Sequence, residues 1–274
     1  ATSVGPDSEP TITYSGDCNF GPTDDNLVID SRIIDCETEG IRFFAGNYTV
    51  TITNSVLQGP IFTYDYYPGD PGADDYPREP VVVVEDSRII QSSNEGGNRG
   101  ACCSHYTIRR SFIQGTHSGI GAHNNVVLEG NFITTSGTQQ HTSGVRVLKN
   151  SVLNNNTITC RPYSPGHDGN CSAAGVFYAE DIRGVGTPAF NLTVTNNYFR
   201  RGFTISGNEP GGPWNATRWI DCASRIDCVD IAFTGNRFDL DWNTDASEFP
   251  FYGGNVWSGN TWIDDEVADS GETR

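Results

Sequence analysis

Residues 118–160 read SGIGAHNNVVLEGNFITTSGTQQHTSGVRVLKNSVLNNNTITC and contain one short pattern twice. In each copy, a glycine-containing strand precedes an apolar alternation, a turn that contains asparagine, and a second short apolar strand. The first copy begins at Ser118 and the second begins 25 residues later, at Ser143. A pattern that recurs at this distance predicts a repeat protein, in which neighbouring units stack on each other.

The second half of the pattern recurs along most of the chain. It is found in the segments LVIDSRII, VTITNSVL, VVVEDSRII, YTIRRSFI, VVLEGNFI, SVLNNNTI, LTVTNNYF, IAFTGNRF and NVWSGNTW. We assign the turn position of these segments to Ser31, Ser55, Ser87, Ser111, Asn131, Asn156, Asn197, Asn236 and Asn260. Successive turn positions are 24, 32, 24, 20, 25, 41, 39 and 24 residues apart, which is a period in the low twenties lengthened by insertions.

These repeats predict an all-β solenoid. Apolar residues alternate with polar ones, as in strands, and no stretch shows the 3.6-residue apolar stripe of a helix. Asparagine tolerates the left-handed backbone of a sharp turn, and stacked asparagines can hydrogen-bond to their copies in neighbouring coils. The pattern resembles that of the right-handed parallel β-helix proteins of the pectate-lyase-like superfamily. We expect one such domain at residues 26–262, an extended segment at residues 1–25 and an acidic tail at residues 263–274.

The composition limits the possible partners. The chain of 274 residues has 34 acidic and 17 basic residues, which gives a net charge of −17. This charge argues against nucleic acid and against an anionic membrane surface, because both bind basic proteins. No stretch approaches the length of an apolar membrane span, so no membrane insertion is expected. The chain begins at Ala1, as expected for a processed protein, and we expect a monomer.

The cysteines indicate an oxidising compartment. The chain has 8 cysteines, and three pairs lie close in sequence: Cys18 and Cys36, Cys160 and Cys171, Cys222 and Cys228. We predict a disulfide within each pair and therefore a secreted, extracellular protein. Cys102 and Cys103 are adjacent, and they either form a bridge or remain unpaired. Glycosylation sequons, which would make the chain a glycoprotein, begin at Asn47, Asn155, Asn170, Asn191 and Asn215.

A binding face is predicted along the third strand of each coil. Long insertions occur at residues 64–79, 161–172 and 207–228, and insertions at one point of a solenoid emerge on one side. We predict that the third strands follow these insertions and border a groove. Alternation directs Ile120, Ala122, Val145 and Val147 to the interior and Arg42, His123, Arg146 and Phe177 outward. Stacked strands are about 4.8 Å apart, similar to one sugar unit, so this face suits a polysaccharide.

The predicted groove collects cations on an acidic protein. Arg42, Arg146 and Lys149 lie on or near this face, together with His117, His123 and His141. A local cationic strip favours a substrate with carboxylates. The alternative is that these cations only pair with neighbouring acidic residues such as Glu129 or Glu180. Aromatic candidates for stacking on sugar rings are Tyr66, Phe177, Tyr178, Trp214 and Trp219.

The segment His141-Thr-Ser143-Gly144-Val145-Arg146 is the most specific motif. It resembles the H-x-D-G-h-Q motif of secreted bacterial β-helix proteins of the same superfamily. Ser143 and Arg146 replace the acidic and amide residues of that motif, so the acid-dependent mechanism of those relatives is not expected here.

Two reactions fit these residues. β-Elimination of a uronate requires a cation on the carboxylate and a base for the C5 proton. Arg146 and Lys149 would bind the carboxylate, and His141 or His123 would take the proton. Hydrolysis instead requires two carboxylates at a fixed separation. Asp181 with Glu180 or Asp168 is the best pair, but adjacent residues are poorly placed to face each other, so we favour a lyase.

Other functions remain open at this point. The chain could instead be a glycoside hydrolase on the same scaffold, a non-catalytic carbohydrate-binding protein, or a structural surface β-helix. Asp70, Asp74 and Asp75 could bind Ca²⁺, although a solvated acidic loop has the same composition. The sequence does not identify the polysaccharide.

Overall fold

The computed structural model describes residues 4–37, 39–63, 80–91, 99–135, 142–147, 149–160, 171–178, 190–200, 203–206, 229–238 and 254–262. These residues form 26 β-strands in three parallel sheets and one short 3-10 turn at Pro22–Asp24. Within this part of the chain, no helix is long and apolar enough to cross a membrane.

The three sheets are numbered in the order in which each coil visits them. Sheet 1 contains β1 (Asn19–Phe20), β4 (Ile41–Phe43), β7 (Ile61–Thr63), β10 (Arg99–Ser104), β13 (Ser118–Asn124), β16 (Thr142–Val147), β19 (Cys171–Tyr178) and β22 (Phe203–Ser206). Sheet 2 contains β2 (Leu27–Asp30), β5 (Thr49–Thr53), β8 (Val81–Glu85), β11 (Tyr106–Arg109), β14 (Val127–Glu129), β17 (Lys149–Asn154), β20 (Phe190–Thr195), β23 (Ile231–Thr234) and β25 (Val256–Ser258). Sheet 3 contains β3 (Ile33–Asp35), β6 (Val56–Gln58), β9 (Arg88–Ile90), β12 (Phe112–Gly115), β15 (Phe132–Thr135), β18 (Thr157–Thr159), β21 (Tyr198–Arg200), β24 (Arg237–Phe238) and β26 (Thr261–Trp262).

Each strand pairs in parallel with the equivalent strand of the next coil. In sheet 1, for example, Ile120 of β13 pairs with Val145 of β16, which are equivalent positions of the two copies in residues 118–160. Because the described strands visit the three sheets in turn, the chain is a parallel β-helix, as the sequence predicts. Parallel strands joined by a crossover almost always have the right-handed connection.

The interior is built from rows of apolar side chains, one per coil. In sheet 2, fully buried residues in register are Ile52, Val84, Ile108, Leu128, Leu153, Val194 and Phe233. Each such side chain contributes about 1.5–3 kcal/mol by leaving water. The predicted interior residues Ile120, Ala122, Val145 and Val147 are all fully buried.

A ladder of hydrogen bonds follows the corner between sheets 2 and 3. The amide Nδ2 of Asn156 donates to Asn197 Oδ1 at 2.9 Å, and Asn197 Nδ2 donates to Asn236 Oδ1 at 3.1 Å. The backbone N–H groups of Asn156 and Asn197 donate to the same two oxygens. In earlier coils serine replaces asparagine, so that the backbone N–H of Ser55 donates to Ser87 Oγ at 3.1 Å. The predicted stacking of these turn residues is confirmed.

The first turn position was wrong by one residue. Ser31 has a φ of 55° and is equivalent to Asn54, which precedes the ladder position of the next coil. Arg32 occupies the ladder position, because its backbone N–H donates to Ser55 Oγ at 3.2 Å. The left-handed turn and the ladder are therefore two adjacent positions, and the sequence pattern alone did not separate them.

The N-terminal segment contacts the first coils. Thr13 forms a parallel bridge with Ile33, and Glu9 forms an ion pair with Arg88. The predicted disulfide between Cys18 and Cys36 is present. The extended segment predicted at residues 1–25 thus already includes β1, which is the first strand of sheet 1.

The insertions flank sheet 1 on both sides. Residues 64–79 and 207–228 follow strands of sheet 1 in the chain, whereas residues 161–170 precede one. The prediction that the third strands all follow the insertions was therefore wrong. The prediction assumed that all three insertions occur at the same corner of the coil, but they occur at two different corners. The structure of the inserted residues lies outside the described ranges.

Candidate functional site

The outer face of sheet 1 has a central row of one residue per strand. Strand pairing aligns Asn19, Arg42, Phe62, Cys102, Gly121, Arg146, Val176 and Thr204. Unlike the apolar rows of the interior, this row has no residue type that recurs on adjacent strands. Arg42 is four strands from Arg146, or about 19 Å at the usual strand spacing, so the two arginines belong to different parts of the face.

Arg99 and Arg146 approach Gly121 from its two neighbouring strands. A Cβ atom on Gly121 would lie 2.6 Å from Nη1 of Arg99, so the absence of a side chain leaves room for this guanidinium. Arg146 is the register partner of Gly121 on the other side. Two arginines therefore lie on the two strands that flank β13, on either side of Gly121. Arg99 was not predicted from sequence, because residues 92–98 before it have a loop-like composition. Its position three residues before Cys102 is the signal that could have identified it.

His123 and the two adjacent cysteines surround the Arg99 guanidinium. Nη1 of Arg99 lies 2.8 Å from His123 Nε2 and 3.1 Å from Cys102 Sγ. A guanidinium has only donors, so Nε2 of His123 accepts this hydrogen bond. His123 is buried, with 6% of its surface exposed.

Cys102 and Cys103 form a disulfide, which settles the alternative that the sequence left open. Thr63 lies beneath the pair: its Oγ1 accepts the backbone N–H groups of Cys103 and Ser104, both at 2.9 Å. Cys102 is buried, whereas Cys103 is partly exposed. The disulfide thus lies in the central row, next to Arg99.

A polar chain connects Arg146 to a histidine at the edge of the sheet. Nε of Arg146 donates to Ser143 Oγ at 2.9 Å, and Ser143 Oγ is 3.1 Å from Ser118 Oγ. Ser118 Oγ is in turn 3.2 Å from Nδ1 of His117. Both serines are fully buried, and His117 is partly exposed. Ser143, which replaces the acidic residue of the H-x-D-G-h-Q motif, therefore orients the Arg146 side chain.

The structure separates two other predicted site residues from this group. Lys149 is the first residue of β17, so it belongs to sheet 2 and not to the face that carries Arg146. Phe177 is 1% exposed and packs in the interior, with its ring 4.8 Å from that of Phe233. The prediction that its side chain points outward was wrong. The register pairs Val147 with Phe177, one residue away from the alignment used in the sequence analysis.

The remaining predicted residues lie outside the described part of the chain. These are His141, Asp181, Tyr66, Trp214, Trp219, the side chain of Tyr178, and the calcium candidates Asp70, Asp74 and Asp75. Cys160 is disulfide-bonded, but the side chain of Cys171 and the whole of the Cys222–Cys228 pair lie outside the same ranges. Arg42 is exposed on the central row, as expected.

Carboxylates are absent from the central row of the described strands. Its members are neutral or cationic, although the chain carries a net charge of −17. A neutral or anionic polymer lying along the row would meet the guanidinium groups of Arg99 and Arg146 in its middle.

No protein-family model matches the chain, no curated protein matches it, and no solved structure matches it. The assignment to a parallel β-helix rests on the chain's own strand pairing.

Proposed function

We propose that the chain is an extracellular protein that binds a uronate-containing polysaccharide on the outer face of sheet 1 and cleaves it by β-elimination. The observation that carries this proposal is that Gly121 has the Arg99 guanidinium over it and Arg146 as its register partner, in a row of described residues without carboxylates. The resemblance of the repeats to the pectate-lyase-like superfamily supports the same substrate class. The disulfides Cys18–Cys36 and Cys102–Cys103 favour an oxidising, extracellular compartment.

In this proposal, the uronate carboxylate binds to Arg99 and Arg146. In β-elimination the C5–H bond breaks, its electrons form the C4–C5 double bond, and the C4–O bond breaks with the electrons leaving on oxygen. Negative charge develops on the carboxylate as the C5 proton leaves. A guanidinium already in place stabilises this charge more in the transition state than in the ground state.

A histidine at the edge of sheet 1 would take the C5 proton. Among the described residues, His117 fits this role better than His123, because it is partly exposed and is connected to Arg146 through Ser118 and Ser143. His141 directly precedes β16 in sequence and remains the candidate from the motif. Water would supply the proton that the leaving oxygen requires.

A lyase is supported over a hydrolase by the same row. Hydrolysis needs two carboxylates on either side of the scissile bond, and the central row of described residues offers none. A non-catalytic carbohydrate-binding protein would use the same face without the proton transfer. Formation of unsaturated products distinguishes a lyase from such a binding protein.

The test is a time course of ultraviolet absorbance from unsaturated product ends, on acidic polysaccharides and on neutral ones. We expect activity only on uronate polymers. Arg146→Ala should lower kcat/KM about 10²–10³-fold, the effect of removing one preorganised donor. Arg237→Ala, an exposed arginine on sheet 3, is the matched control and should keep full activity.

The histidines are tested in the same assay. His117→Gln and His141→Gln are compared, and the base should lose about 10²–10⁴ in kcat while retaining polysaccharide affinity. Binding of uronate polymers without unsaturated products would contradict the lyase and leave the binding face. No binding to any acidic polysaccharide, or equal activity of Arg146→Ala and wild type, would overturn the whole proposal.

A further inference from the structure

We propose that Cys102, Cys103 and His123 form a thiol-dependent metal site that becomes available when the Cys102–Cys103 disulfide is reduced. This site shares Arg99 with the proposed polysaccharide site, but its test requires no polysaccharide. Its ligand would be a thiophilic divalent cation such as Zn²⁺ or Cd²⁺.

The three ligand atoms are already close together. The two Sγ atoms and a ring nitrogen of His123 all lie within 4.8 Å of one another, and this is the one group of this kind among the residues that the structure describes. Tetrahedral zinc with thiolate and imidazole ligands requires separations of about 3.5–3.8 Å between ligand atoms. Breaking the S–S bond lets the two sulfurs move apart to this distance, and small side-chain rotations bring in the histidine.

The surrounding structure holds this group in place. Oγ1 of Thr63 accepts the backbone N–H groups of Cys103 and Ser104 and lies 3.2 Å from the carbonyl oxygen of Cys102. The register between β10 and β13 shifts between Cys103 and Ser104, and Ser104 pairs with Asn124. His123 is thereby directed to the cysteine pair. Cys103 is partly exposed, which gives a metal ion a path from solvent.

Arg99 controls the site in the oxidised protein. Its Nη1 donates to Nε2 of His123 and contacts Cys102 Sγ. A metal ion at this position would be repelled by the guanidinium, and the lone pair of His123 Nε2 would already be used in the hydrogen bond. Metal binding requires the Arg99 side chain to withdraw. A cation and the Arg99 guanidinium therefore compete for His123, which makes a gain in affinity on removal of Arg99 a specific expectation.

The redox step is a balanced exchange. A small dithiol gives two electrons and two protons to the Cys102–Cys103 bond, which yields two thiols, and the dithiol becomes a cyclic disulfide. The metal then binds the two sulfurs as thiolates, and two protons are released to solvent. Water completes the fourth coordination position.

The test measures Cd²⁺ binding by the ultraviolet charge-transfer band of cadmium thiolate, before and after treatment with an immobilised phosphine. The phosphine is removed by filtration, so that no soluble thiol competes for the metal. We expect one tightly bound Cd²⁺ per reduced chain beyond the binding of the Cys102→Ser/Cys103→Ser variant, which retains the other cysteines. Circular dichroism checks that each variant keeps its strands.

Two single variants make the assignment specific. His123→Gln should weaken Cd²⁺ binding at least 10-fold. Mutation of a residue that only supports a metal ligand already lowers metal affinity by about 10-fold or more. His105→Gln, which changes a histidine outside the group, should bind like wild type. Arg99→Met should bind Cd²⁺ more tightly than wild type.

Three results would overturn the proposal. Equal binding by reduced wild type and the double serine variant would exclude the cysteine pair. Equal binding before and after reduction would exclude the redox dependence. Unchanged affinity in both His123→Gln and Arg99→Met would exclude the histidine as a ligand.

Discussion

The corner between sheets 2 and 3 and the outer face of sheet 1 are built in opposite ways. At the corner, asparagine recurs in successive coils, and the side chains of Asn131, Asn156, Asn197 and Asn236 hydrogen-bond to one another. On the outer face, strand pairing aligns Arg42, Phe62, Cys102, Gly121 and Arg146, and no residue recurs on adjacent strands. In a solenoid, a repeated position stabilises each coil against the next. Positions in a row that does not repeat are not required for this stacking, so their side chains can serve binding or catalysis.

The arginines of sheet 2 and of sheet 1 also differ in the groups that they contact. On sheet 2, Arg109 and Arg110 bind the carboxylates of Glu85 and Asp86, and the Asp86 hydrogen bond raises the pKa of Arg110 further above its ordinary value. On sheet 1, the described contacts of Arg99 and Arg146 are with His123, Cys102 and Ser143. These contacts orient the two guanidinium groups.

The largest expected effect concerns Phe177, which the sequence placed outside and the structure places inside. Phe177→Ala should lower the free energy of unfolding by about 3–5 kcal/mol, because a buried ring that packs on Phe199 and Phe233 is removed. Chemical denaturation measures this change. A loss below about 1 kcal/mol, with reduced polysaccharide binding instead, would return Phe177 to the outer face.

Asn156 tests the repeated corner. Its side chain accepts from the backbone and side-chain N–H groups of Asn131 and donates to Asn197 and to the carbonyl of Leu128. Asn156→Ala leaves buried donors and an acceptor without partners and should cost about 2–4 kcal/mol of unfolding free energy. Asn155→Gly changes the neighbouring left-handed residue, which has a φ of 56°. This variant should change the free energy of unfolding by less than about 1 kcal/mol. Similar effects of both variants would contradict the ladder.

Two glycines of sheet 1 separate folding from binding within one region. A Cβ on Gly144 would lie 2.5 Å from the carbonyl oxygen of Ala174, so Gly144→Ala should destabilise the protein by about 1–3 kcal/mol. A Cβ on Gly121 would meet the flexible end of Arg99, which can move. Gly121→Ala should therefore keep the thermal midpoint near that of wild type but weaken binding of a uronate oligosaccharide. Unchanged affinity in Gly121→Ala would contradict the role of Arg99.

The smallest expected effect is the pH dependence contributed by Asp30, on sheet 2. Hydrogen bonds from Asn54 and Thr53 lower the pKa of Asp30. A lowered folded pKa adds stability above the unfolded pKa, near 3.9, and this contribution is lost as the pH falls below that value. The stability difference between wild type and Asp30→Asn should thus shrink on acidification, as followed by thermal denaturation. A difference that grows at low pH would contradict this sign. Asp7→Asn, in the N-terminal segment, is the control.

The repeated parts of the molecule were predictable from sequence, because each coil shows the same local pattern again. The strand pairs, the interior alternation around Ile120 and Val145, and the asparagine ladder follow from this redundancy. The errors occurred where a position depends on long-range register. Ser31 and Arg32 cannot be told apart by polarity alone, and Phe177 changes face when β19 shifts by one residue.

The unrepeated face was predicted only in part. Arg42, His123 and Arg146 were recognised by their charge, but Arg99 follows a loop-like stretch and contacts residues that are distant in sequence. The bond between Cys102 and Cys103 depends on backbone geometry that alternation does not specify. Residues of the candidate site therefore needed the three-dimensional pairing of β10, β13 and β16.

The central claim is that the unrepeated face of sheet 1 is where the ligand binds. Hydroxyl-radical footprinting with and without a saturating uronate oligosaccharide tests this claim directly, because it reports the protection of individual side chains. We predict protection of Phe62 and Cys103 on sheet 1, with Val28 and Val152 on sheet 2 unchanged. Protection of the sheet 2 valines, or of Phe112 and Phe132 on sheet 3, with Phe62 unchanged would contradict it.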